Sequence, residues 1–174
     1  AEELALAAKC DMVFATAAPL AERLQAANPK ARFIPHGADF ERFNRASWPI
    51  AVPDEMRAIP HPIFGFVGAL QPCIEYSFVE YAAKAHPEWS FVWIGGEKPG
   101  ANLSALKALG NCHFLGIKPN DQLPQYLAQF DACLNLFAAG KLSKDVSPLK
   151  FYEYLATGKP IVSTRQPDQI LRYA

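Results

Sequence analysis

The segment from Lys141 to Lys159, KLSKDVSPLKFYEYLATGK, gathers the side chains of this sequence best suited to chemistry. Ser147 followed by Pro148 is a helix start. The serine hydroxyl can accept a hydrogen bond from an unsatisfied backbone N–H, and proline costs nothing at the first helical position. Such a start carries free N–H groups and a partial positive charge, which together favour an anion. Lys150 falls in that first turn, where a cation is disfavoured by about 0.3–1 kcal/mol, and Lys144 lies just upstream. Two cations converging on a positive helix end make physical sense if a phosphate or diphosphate sits between them. Two other dispositions are open to Lys150. It can point to solvent, or it can pair with Glu153 three residues on, an order that contributes only about a few tenths of a kcal/mol. Glu153 itself lies between Phe151-Tyr152 and Tyr154-Leu155-Ala156. Carboxylates are rarely buried unless paired. Glu153 therefore either occupies an exposed stripe or accepts hydrogen bonds from ligand hydroxyls, as acidic residues do with ribose. Asp145 stands eight positions earlier, in the loop leading into the helix.

The elements that must position this cluster repeat a pattern: a short apolar run, a turn, then an amphipathic stretch. Runs Met12–Thr16, Arg32–Pro35, Ile63–Val67, Ser90–Ile94, Cys112–Leu115, Ala132–Phe137 and Ile161–Thr164 read as strands. Between them, Pro19–Ala27, Ser77–Ala85, Leu103–Leu109, Leu123–Gln129 and Pro148–Ala156 read as helices, the last ended by Gly158 and Pro160. The proline-rich stretch 46–62 reads as a surface connection with one helical turn at most. Apolar strands alternating with helices mean an α/β domain, a Rossmann-like open parallel sheet flanked by helices. There is no GxGxxG. Instead three strands run into glycine, at Gly68, Gly95 and Gly116, which suggests that the carboxyl edge of the sheet accepts something close to its backbone.

The 174 residues fit one domain, and with about half of them apolar the chain can bury a core without staples. Seventeen basic and seventeen acidic residues cancel, which argues against nucleic acid as a partner. Cys10, Cys73, Cys112 and Cys133 form no CxxC pair and read as small buried hydrophobes. The four histidines are scattered, so no metal site is expected. No apolar run reaches the roughly 18–20 residues of a membrane span. Residues 1–10 read as the end of a preceding helix and 169–174 as the start of another, the pattern of a fragment from a longer protein.

The run Ser147–Thr164, SPLKFYEYLATGKPIVST, resembles the C-terminal signature of GT-B glycosyltransferases of the large retaining family four group (group 1). In that signature two acidic residues are separated by seven others, and Asp145 and Glu153 hold that spacing. Gly158, Pro160, Ile161 and Val162 follow as expected. Ile34-Pro35-His36-Gly37-Ala38-Asp39 with Phe43 is similar to the family's "I-P-N-G-V-D…F" loop. Phe66-Val67-Gly68, Phe91–Gly95 and His113–Gly116 are similar to its donor-side strands.

The resemblance implies a 1–174 nucleotide-sugar-binding domain, one half of a GT-B architecture. It implies a UDP- or GDP-sugar donor and retaining transfer without a metal or other cofactor. The acceptor, a glycan or lipid-linked molecule, would be held by an N-terminal domain absent here. By position, Glu153 would meet the ribose hydroxyls and Asp145 the donor sugar. The backbone of Val146, Ser147, Pro148 and Leu149 would face the sugar and phosphates, with Gly68 on the phosphates and Ile117 on the base. The family often has Glu where Asp145 stands, followed by G-F-G, and an Arg and a Lys-Gly after Gly68 that clamp the diphosphate. This chain supplies neither, and Lys144 and Lys150 are the candidate replacements. The setting implied is bacterial polysaccharide biosynthesis in the cytoplasm, with peripheral association at the inner face of the membrane. Two alternatives keep the fold: a non-catalytic nucleotide-binding module, and a sugar-nucleotide 2-epimerase.

Overall fold

A computed structural model of the chain describes residues 2–138 and 147–165. These group into two compact units, one of residues 2–37 with 147–149 and 165, the other of residues 38–138 with 150–164.

The first unit is a small α/β pair. Helix α1 (Glu2–Ala7) precedes β1 (Val13–Ala15), α2 (Ala18–Gln25) and β2 (Ala31–Phe33). The two strands pair in parallel, Val13 opposite Ala31. Ala7, Ala15, Ala21, Leu24 and Ala31 form its core. Asn28 is buried and fully used: its amide donates to the carbonyls of Ala7 (3.0 Å) and Cys10 (2.7 Å), and its Oδ1 accepts from the Lys30 N–H.

In the second unit the chain forms α3 (Phe40–Phe43), β3 (Ile63–Val67), α4 (Ser77–Ala85), β4 (Ser90–Ile94), α5 (Ser104–Lys107) and β5 (Cys112–Gly116). It continues through α6 (Leu123–Ala128), β6 (Ala132–Asn135), α7 (Leu149–Thr157) and β7 (Ile161–Ser163). The strands form one parallel sheet in the order β5-β4-β3-β6-β7. The chain therefore starts in the middle, winds outward to β5, and crosses back past β3 to β6. The reversal between β3 and β6 is a topological switch point, where loops on the carboxyl side part and leave a crevice.

Side chains alternate along β3 and β4 and feed two cores. Ile63, Val67, Val92 and Ile94 pack with Leu127 of α6 and Tyr154 of α7. Phe66, Phe91 and Trp93 pack on the opposite face with Val79 of α4 and Leu106 of α5. Burial on both faces is why these strands read as continuous apolar runs rather than alternating ones. Gly65, in the middle of β3, is dictated by packing: a Cβ there would lie 2.0 Å from the Phe130 ring.

The sequence-based boundaries hold for β3, α4 and β4. The helix expected over Leu103–Leu109 is confined to Ser104–Lys107, and the strand expected to reach Phe137 ends at Asn135. Helix α3, absent from the sequence reading, is a single turn. It is held by Asp39, whose carboxylate accepts from the Arg42 N–H (3.1 Å) and pairs with the Arg42 guanidinium (3.2 Å). One turn is too short to give a periodic signal. Likewise a 3₁₀ turn at Asn44–Ser47 leads into the 46–62 connection and another lies within it at Asp54–Met56, and the stretch is not all surface, since Ala46, Met56 and Ile59 are buried in the core.

Gly65→Ala should therefore destabilise the domain by about 1–3 kcal/mol through overpacking, read as a lower urea midpoint. Adding Phe130→Leu should recover part of the loss, because the two side chains share one space.

Candidate functional site

At the carboxyl edge of the sheet, backbone meets backbone. Gly68 donates to the Ile94 carbonyl (2.8 Å), Leu70 to Gly96 (2.9 Å) and Gly95 to Gly116 (2.8 Å), so the strand pairing continues past the strand ends. Gly95 has φ +146° and a Cβ on it would sit 2.0 Å from the Gly68 carbonyl oxygen. Part of the glycine pattern seen in the sequence thus serves the sheet itself. Gly68 (φ +143°) differs, because the space a Cβ would need is taken by a side chain from α7: the Lys150 Nζ lies 2.6 Å from that position.

Lys150 reaches there because of Tyr154. The two are four residues apart on α7 and share a helix face. Tyr154 is fully buried, and its hydroxyl accepts a hydrogen bond from the Val67 N–H at 2.8 Å. That N–H lies beyond the stretch where β3 pairs with β6, which covers Phe64 and Gly65. The hydroxyl thus replaces a missing strand partner and fastens α7 to the end of β3. It also delivers Lys150 to the switch point, between Phe66 of β3 and Phe137 just after β6, with Nζ 3.9 Å and 5.3 Å from the two ring centroids.

The electrostatics follow from this placement. Burial lowers the Lys150 ammonium to about 8, with Cys73 and Glu153 acting in the opposite sense, so it remains a cation at neutral pH. Among the described residues no carboxylate forms a salt bridge with it. A desolvated cation–π contact contributes about 2 kcal/mol, against several kcal/mol to bury an ammonium. The aromatic faces offset only part of that cost, and an anion at Gly68 would offset the rest. Glu153, half-buried, has its carboxyl raised by burial, with Lys150 and Arg42 pulling it back.

The alternatives left open for Lys150 are thereby closed: it neither points to solvent nor pairs closely with Glu153. The structure brings together Gly68, Lys150 and Glu153, with Ile117, 78% exposed, lying against Gly96 at the next strand end. Ser147 and Pro148 are buried, Leu149 is exposed, and all three group with the first unit. Lys144, Asp145 and Val146 lie outside the described residues. Sequence reasoning missed Tyr154 and Arg42. A tyrosine inside an otherwise apolar helix was the available signal, since a buried phenol must find a partner. The cysteine expectation holds for Cys133, buried with its thiol pushed up to about 12, but not for Cys10, which is exposed because it follows α1 at the surface of the first unit.

Comparison with known proteins gives the family. Residues 61–172, more than half of the chain, match the family model described as glycosyl transferases group 1. The chain belongs to this family. TuaH of Bacillus subtilis (strain 168), named as a teichuronic acid biosynthesis glycosyltransferase, is 26% identical over 151 residues, covering 84% of this chain and 37% of TuaH. Among solved structures, Anabaena Alr3699/HepE in complex with UDP and glucose superposes with a TM-score of 0.70 at 16% identity. That match covers 98% of this chain and 49% of HepE. Sucrose-phosphate synthase from Thermosynechococcus elongatus gives 0.63 at 20% identity, over 92% of this chain and 42% of its own. The chain thus spans less than half the length of TuaH and about half that of HepE. The fold of this group 1 member is the one these two structures share over the matched part. Among the described residues, no helix is long and apolar enough to cross a membrane.

Two substitutions separate framework from site. Tyr154→Phe strands the buried Val67 N–H and should cost about 1–3 kcal/mol of stability, measured by denaturant titration. Lys150→Met keeps the stem and removes the charge, so at pH 7 it should unfold no earlier than the wild type. The sign is set by linkage. The folded Lys150 titrates near 8 and the unfolded one near its ordinary 10.5, so between these values the unfolded chain holds more protons. Wild-type stability should gain from this group as pH rises from 8 to 10.5, and Lys150→Met should lack that gain.

Proposed function

We propose that this chain is the donor-binding part of a retaining glycosyltransferase that uses a nucleotide-diphosphate sugar. The observation that carries the reading is the Lys150 ammonium, buried at the switch point against Gly68 without a carboxylate partner among the described residues. Membership of group 1 supports it, as does the UDP bound in the structurally similar HepE.

In this reading the donor diphosphate lies along Gly68 with Lys150 on its oxygens. Glycosyl transfer leaves a nucleoside diphosphate carrying the negative charge of the broken bond. A cation already fixed in a low-dielectric site stabilises that charge without reorganising as the reaction proceeds. Lys150 supplies the positive charge that the missing Arg and Lys-Gly after Gly68 would otherwise bring, so no divalent metal is required. Glu153 accepts the ribose hydroxyls, and the Lys150 and Arg42 charges favour its ionised form. Asp145 is the candidate contact to the donor sugar. The acceptor, a glycan or lipid-linked molecule, binds outside this chain, and a polysaccharide product accords with the teichuronic acid assignment of TuaH.

Calorimetric titration with UDP, GDP and ADP, without added metal, tests the reading. One of the three should bind saturably, and Lys150→Met should weaken it by about 10- to 100-fold, the loss of one charge-assisted contact. Saturable binding of none of them overturns it. Because the contact needs the protonated amine, affinity should fall as pH rises through 8, approaching about tenfold per pH unit. A flat profile from pH 7 to 9.5 would remove Lys150 from the diphosphate.

A further inference from the structure

A second largely covered lysine stands at the same edge of the sheet. Lys118 lies two residues beyond Gly116, with its side chain only 16% exposed. Its Nζ pairs with Glu55 Oε1 at 2.6 Å and sits 5.5 Å from the centre of the Tyr126 ring. The Tyr126 hydroxyl donates to the same Oε1 at 2.5 Å. The loop after β5 and helix α6, neighbours in sequence, thus both reach one carboxylate oxygen from the distant 3₁₀ turn Asp54–Met56. Such convergence is uncommon for a lysine at a sheet edge, where the stem usually lies along the surface with its amine in water. Both donors favour the carboxylate, and Glu55 is accordingly held below its ordinary value.

The residue between Gly116 and Lys118 in the chain is Ile117. Ile117 is 78% exposed, yet its Cδ1 and Cγ1 lie 3.1 and 3.3 Å from where a Cβ on Gly96 would be. The end of the side chain thus lies against Gly96 while most of its apolar surface stays open. β3 and β5 are separated by two strand spacings, about 10 Å, comparable to the reach of a nucleotide from its diphosphate to its base. A diphosphate at Gly68 therefore brings a base within reach of Ile117.

We propose that Glu55, Lys118 and Tyr126 form a clamp that fixes the height of Ile117, and that this clamp sets the preference of the donor site among bases. The inference rests on the donor-site reading above. The clamp residues are positioning residues: they act on the base through the backbone at 117 and 118, not by touching it. A side chain held at one height suits one ring size and edge pattern, whereas a loose one accommodates purine and pyrimidine alike.

The experiment is calorimetric titration of wild type, Lys118→Met and Tyr126→Phe with UDP, GDP and ADP. The readout is the ratio between the tightest and weakest dissociation constants. In wild type one base should be preferred. Lys118→Met should reduce that preference by about three- to tenfold, the scale of one positioned contact, and Tyr126→Phe should reduce it by less. Lys150→Met should weaken all three nucleotides alike and leave the ratio intact. A purely structural role for the clamp would scale every affinity together, so an unchanged ratio in Lys118→Met overturns the proposal. Equal binding of the three nucleotides by wild type overturns it too. Either result leaves the donor-site reading standing, whereas wild type that binds none of the three fails both.

Discussion

The hydrogen bond from the Val67 N–H to the Tyr154 hydroxyl joins the sheet to the helix that bears the candidate site. Its necessity comes from topology. β6 pairs with β3 at Phe64 and Gly65, so the last N–H of β3 needs another acceptor. A buried donor left unmade costs about 1–3 kcal/mol. Supplying the acceptor from a helix side chain has a second effect: it fixes the rotation of α7 about its axis. With Tyr154 turned inward, the residue four positions earlier faces the same way, and that residue is Lys150. The framework and the site are thus set by one contact.

Lys150 is where local stability and local chemistry oppose each other. Burial pulls its amine down to about 8, and two aromatic rings are weak compensation for lost hydration. A methionine would fit the same space without that cost. Functional sites commonly break a local rule in this way, with the surrounding fold supplying the stability to tolerate it. Here the tolerance comes from strands β3 and β4, each packed on both faces, and from carboxyl-edge glycines whose backbones lock together.

The neighbouring turns show the same economy of means. Glu97 pairs with Lys107 at 2.6 Å and Glu55 with Lys118 at 2.6 Å, so the turn after β4 and the loop after β5 are each tied to another part of the fold through a lysine. At an exposed pair this would contribute little. With the Lys118 side chain largely covered and Tyr126 on the same oxygen, the second tie has more to hold it than the first.

Much of this was legible in the sequence. The spans of β3, α4 and β4 could be read because strand and helix periods differ sharply and both cores are strongly apolar. The oddity of Lys150 was legible too, since a cation in the first turn of a helix conflicts with the dipole whatever the fold. Its partners were not. Phe66 and Phe137 are distant in sequence and meet at Lys150 only because the strand order reverses between β3 and β6. Glycine identity could be seen at positions 65, 68 and 95, but not that Phe130, Lys150 and the Gly68 carbonyl are the three different reasons for it. Sequence by itself determined which segments become strands and helices and which residue types could grip an anion, because those follow from local period, capping and charge. Tertiary structure alone decided that the Lys150 ammonium is desolvated and Glu55 shared, because burial and convergence depend on which distant segments the sheet order places side by side.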